Sequence, residues 1–132
     1  MMRRSSQFVL KSVSYTHLIR QQGEGKTQET MFENVRNAYA HAVRHIGAQL
    51  WIPSGEAMHL ACREGVGPVY RDGFHASLGA GRYLLGLTWY QTLTDWRVEK
   101  ADIALDEAVE PELRRRIVEI SQRAARMAQS GK

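Results

Sequence analysis

Cysteine is almost absent from these 132 residues: Cys62 stands alone. That excludes an internal disulfide framework and a cysteine-built metal cluster. Cys62 falls on an expected helix, where a lone cysteine reads as a small buried hydrophobe. Long apolar runs are missing too. No stretch approaches the roughly 18 residues of a membrane-spanning helix, so no membrane span is expected. Arg3 and Arg4 are followed by an apolar stretch broken by Lys11 and several serines, so no signal peptide is expected and localisation stays open. A cluster of basic residues interleaved with aromatics is also lacking. The net charge of +4 comes from the two ends: residues 1–26 hold five Lys/Arg against one Glu, and residues 109–132 hold six against three. Residues 27–108 hold seven against ten acids, so the middle is acidic. No nucleic-acid partner is expected from that distribution.

What is present fits one globular domain, with 43% hydrophobic residues to fill a core. Residues 1–26 form a poorly defined N-terminal segment. From Thr27 the pattern sharpens. Thr27 can cap a helix with Glu29 in its first turn, and Phe32, Val35, Tyr39, Ala42 and Ile46 follow at spacings of three and four until Gly47. The run Ala48-Gln49-Leu50-Trp51-Ile52, ended by Pro53, reads as a short buried strand. Ser54 can cap a second helix that buries Ala57, Met58 and Ala61 and stops at Gly65. Helix, strand and helix in that order predict an α/β domain with a parallel sheet. Val66 to Ser77 reads as a loop, with Ser77 able to cap a largely apolar third helix. Leu84, Leu87, Thr88 and Gln91 share one line of that helix. Its glycines suit places where another backbone comes close. Residues 95–132 read as an irregular connection and then an amphipathic helix starting at Pro111, with Leu113, Ile117, Ile120, Ala124 and Met127 in one stripe. The consecutive Arg114, Arg115 and Arg116 fan around it and make no single basic patch.

The candidate chemistry lies in Tyr70-Arg71-Asp72-Gly73-Phe74-His75-Ala76-Ser77. A histidine acting as a general base must be held in one tautomer by a third group, and an acid three residues earlier in a turn can do that. Alone, the D-x-x-H spacing is weak. Its context, a loop ahead of a glycine-bearing helix, strengthens it.

Those residues carry a resemblance. Pro53-Ser54-Gly55-Glu56-Ala57, then Tyr70 to Ser77, then Gly81-Arg82-Tyr83-Leu84 are similar to the C-terminal part of SGNH (GDSL-type) hydrolases, in a poorly characterised bacterial branch. The likeness runs over residues 27–94. It implies a flavodoxin-like three-layer α/β/α sandwich of which this chain holds the C-terminal half, and a serine esterase that often acts on acylated carbohydrates. It implies His75 as the catalytic base and Asp72 as its orienting acid, a small-molecule ester as substrate, and no cofactor.

The chain departs from that pattern in two places. It contains no Gly-Asp-Ser nucleophile block, and its only asparagines, Asn34 and Asn37, lie in the first helix and match no oxyanion block. Each lost oxyanion donor costs about 2.7–4 kcal/mol of transition-state stabilisation. Ser54, at a strand-to-helix turn, is the alternative nucleophile, but a helix cap explains it without a G-x-S-x-G pattern. His41 and His45 have the spacing of a metal pair but lack a third ligand, so no metal is expected and both read as solvent-exposed. The alternative to an esterase is an inactive fragment or interaction module that self-associates through an exposed sheet edge or pairs with a partner.

Overall fold

A computed structural model describes residues 27–72, 75–94 and 108–129. Among these residues the regular structure is four helices: α1 (Gln28–His45), α2 (Ser54–Arg63), α3 (Ala80–Thr94) and α4 (Pro111–Gln129).

The expected parallel sheet is not there. Among the described residues no strand forms, and β-type pairing is limited to one isolated antiparallel bridge between Tyr70 and Ala76. The α/β, flavodoxin-like expectation is therefore corrected to a helical arrangement, and self-association through a sheet edge falls with it. Ala48–Ile52 is the segment that misled. It is apolar and ends at a proline, but a strand needs a neighbour to hydrogen-bond, and the described residues supply none. It forms an irregular crossing from α1 to α2 that buries Ile52 and Pro53.

The helix starts and stops follow the sequence closely. Thr27 Oγ1 accepts the Thr30 backbone N–H at 3.2 Å, the expected cap of α1. Gly47 and Gly65 follow α1 and α2 with φ of 60° and 64°, the left-handed conformation that glycine adopts without a Cβ penalty. The expected cap of α2 is different: Pro53 occupies the position before the helix and Ser54 is its first residue. The Ser54 hydroxyl instead accepts the Trp89 indole N–H at 2.9 Å, tying α2 to α3.

The core lies among α2, α3 and α4. Ala57, Met58 and Ala61 of α2 meet Leu84 and Leu87 of α3 and Ile117, Ile120 and Ala124 of α4, all nearly inaccessible to water. Leu84, Leu87, Thr88 and Gln91 are all buried, as their shared line on α3 implies. The helix is not enclosed all round, since Tyr90 and Leu93 are exposed. Buried polar groups on α3 and α4 satisfy one another. Gln91 Nε2 donates to Ser121 Oγ at 2.6 Å and to the Leu87 carbonyl at 3.2 Å, and the Ser121 hydroxyl donates to the Val118 carbonyl.

The α4 stripe buries Ile117, Ile120 and Ala124, while Leu113 is half-buried and Met127 exposed. The three consecutive arginines do point apart. Arg114 lies over the Tyr83 ring, Arg115 pairs with Glu112, and Arg116 donates to the Glu64 carbonyl at 3.0 Å. Arg123 adds an ion pair with the Glu64 carboxylate at 2.7 Å. Two cations thus meet the C-terminal end of α2, where the helix dipole favours positive charge.

By contrast α1 buries only Met31 and Val35 and touches α2 alone among the helices. The irregular segment expected beyond Thr94 lies mostly outside the described residues, as do residues 1–26 with His17.

Candidate functional site: the Asp72–His75 turn and the groove beside it

The loop after α2 folds back on itself. Arg71 N–H donates to the His75 carbonyl at 3.0 Å and Ser77 N–H donates to the Val69 carbonyl at 2.8 Å, closing a narrow turn around residues 71–75. Gly73 and Phe74 are outside the described residues. Inside the turn Asp72 does two jobs. Its Oδ1 accepts the His75 backbone N–H at 2.7 Å, an Asx-type bond that explains why this chain turns here. Its Oδ2 lies 2.7 Å from His75 Nδ1. The sequence places the acid and base together, and the structure joins them.

That geometry fixes a tautomer. With Asp72 ionised, Nδ1 must carry the proton, and Nε2 becomes the nitrogen that can take a proton from a reactant. The pair is open to solvent, the side chains of His75 and Asp72 being 49% and 43% exposed. Arg71 Nε lies 3.7 Å from the same Asp72 Oδ2 and adds positive charge beside the acid.

The turn is pinned at its base. The Ser77 hydroxyl accepts the Gly81 N–H at 2.8 Å, the expected capping role, and donates to the Pro68 carbonyl at 3.0 Å. Gly81 is needed there: a Cβ on it would be driven into the Val69 carbonyl oxygen. This is the close backbone approach that the glycines of α3 suggest; Gly86, by contrast, faces open space.

The other candidates separate from this pair. Ser54 is buried, and its oxygen accepts an indole proton, so no base is seen to activate it. His41 and His45 share a face of α1 with rings 6.2 Å apart, and both are exposed. No group of three or more metal-ligating side chains occurs among the described residues. Cys62 sits on α2 as expected but is exposed, which corrects the buried reading. Surrounding protein still pushes its thiol pKa above the ordinary 9.0.

One feature had no sequence signal pointing to it. An open groove runs between α1 and α2 and along Trp51 and Tyr70. The His59 ring stacks on Phe32 at 3.7 Å with the planes 2° apart, and His59 Nε2 lies 3.5 Å from Glu29. On the same wall Arg36 Nε meets Glu56 Oε1 at 2.9 Å, with the glutamate buried and the arginine exposed. Phe32, Val35 and Tyr39 were readable as an apolar stripe. That the stripe lines a groove instead of filling a core was not.

No protein-family model matches the chain, and no curated protein is similar to it in sequence. Among solved structures, it is similar to a DUF4886 family protein from Bacteroides uniformis, with 30% identity and a TM-score of 0.64. The likeness covers 79% of this chain and 39% of that one. Nothing in these comparisons indicates an SGNH hydrolase domain. No helix is long and apolar enough to cross a membrane among the described residues.

Proposed function

We propose that this chain carries the base and orienting acid of an SGNH-type serine hydrolase, an esterase whose nucleophile block is not in these 132 residues. The observation that supports this reading is the pair of hydrogen bonds between Asp72 and His75, to the backbone N–H and to Nδ1, each at 2.7 Å. A carboxylate that merely closed a turn would need only the first. The second sets the imidazole in the tautomer that general-base catalysis on a hydroxyl requires. The reading places the nucleophile in sequence corresponding to the part of the DUF4886 structure that this chain does not span.

The chain alone is expected to leave short acyl esters at their background rate. Joined in one polypeptide to an upstream segment bearing a Gly-Asp-Ser block, it should turn them over. His75→Ala should abolish that turnover, and Asp72→Asn should lower kcat by about 10⁴-fold through the wrong tautomer. Robust turnover by the chain alone would end the incomplete-site reading. A joined protein indifferent to His75→Ala would end the hydrolase reading.

A second reading, a non-catalytic module that self-associates, draws on the exposed Tyr90, Leu93 and Met127 of α3 and α4. A compact monomer in size-exclusion chromatography would remove it.

A further inference from the structure

We propose that the groove between α1 and α2 binds a planar aromatic carboxylate, its ring among the aromatic side chains and its carboxylate on Arg36. The walls supply the first half of that recognition. Phe32, Tyr39, Trp51 and Tyr70 present aromatic surface, and the His59 ring stacked on Phe32 makes a flat layer. Flat apolar walls favour a flat apolar body, because offset stacking adds to what area burial gives.

Arg36 supplies the second half. Its Nε pairs with the Glu56 carboxylate at 2.9 Å, which holds the guanidinium at the groove wall. The arginine side chain is 56% exposed, which leaves guanidinium surface open to a ligand. A guanidinium held along one edge keeps a two-pronged face for a second carboxylate, the bidentate geometry that distinguishes arginine from lysine. Glu56 also offsets much of the arginine's charge. The ionic contribution is therefore modest, and an affinity on the order of 0.1–1 mM is expected for a one-ring ligand. The same glutamate works against a competing ligand class: with Arg36 already on it, it does not invite an aromatic cation.

This site stands apart from the Asp72–His75 pair, neither of which lines the groove. It holds whether or not that pair turns over an ester.

The test is ligand binding to the whole chain, followed by amide chemical shifts, with trans-cinnamate, cinnamyl alcohol and cinnamylamine as probes. Cinnamate should give saturable shifts at residues of α1 and α2 that line the groove, and should bind at least tenfold more tightly than either other probe. Arg36→Gln should weaken cinnamate about tenfold and leave cinnamyl alcohol unchanged. If Arg36→Gln loses the fold by stranding Glu56, the double variant Arg36→Gln/Glu56→Gln removes both charges and should show the same selective loss. Equal binding of acid and alcohol, tighter binding of the amine, or shifts confined to residues outside the groove would each overturn the proposal.

Discussion

At the scale of single residues, Gly81 and Gly86 make a controlled pair on one helix. Adding a methyl group to Gly81 forces it against the Val69 carbonyl, with Ala76 and the Ser77 hydroxyl close behind. Gly81→Ala should cost about 1–3 kcal/mol, the usual penalty of overpacking. Gly86→Ala meets open space inside the same helix and should gain about 1 kcal/mol from propensity. Urea denaturation of the two variants should move the midpoint in opposite directions. Cys62 offers a second single-residue outcome. Partial burial favours the neutral thiol, so less thiolate is present at pH 8 than in a free cysteine. Its alkylation by iodoacetamide should be slower than that of a model peptide, despite its exposure.

Between elements, the α3–α4 contact rests on a polar bridge enclosed by apolar side chains. Ser121→Ala removes the partner of Gln91 Nε2 across the interface and leaves that amide the Leu87 carbonyl alone. The variant should lose about 1–3 kcal/mol, the cost of an under-satisfied buried donor. Adding Gln91→Leu should recover part of the loss, and thermal unfolding of single and double variants reads the difference. Sequence periodicity placed the two stripes that meet here, though not their pairing, because helix caps, Pro111 and the spacing of Leu84, Leu87, Ile117 and Ile120 are local signals. It failed at Ala48–Ile52 for a physical reason. Strand propensity records a fit to a pleated neighbour, so an apolar run with no pairing partner satisfies the pattern and forms no strand. Ser54 misled in a related way: a serine after a proline looks like a cap, and only the folded chain reveals the Trp89 indole 35 residues away. The Asp72–His75 bond was legible because both groups lie within one turn. The groove was not, because its walls come from residues between 28 and 70.

Over the whole molecule, alkaline pH should find a defined weak point. Tyr83 is buried at the junction of α3 and α4, and burial raises its phenol above the ordinary 10.0, with the Arg114 cation pulling the other way. A raised folded-state value means that the stability from Tyr83 is intact below pH 10 and is lost as the pH climbs through that value. Unfolding followed between pH 9 and 12 should show a loss that Tyr83→Phe reduces. Acid acts on a different pair. Hydrogen bonding from Arg115 lowers the Glu112 carboxyl, so its contribution is present above the ordinary 4.5 and fades as pH falls through the lowered value. That pair is fully exposed, and salt should screen what little it adds.

Asp72 holds His75 by its backbone as well as by its ring, and both bonds lie within four consecutive residues. The Asp72 carboxylate and His75 are thus tied to each other twice. If the turn swings about its footing at Ser77, the two travel together and the bond between them survives. On the hydrolase reading proposed above, aligning His75 with a nucleophile is then a problem with one moving part, and its pivot is a serine hydroxyl.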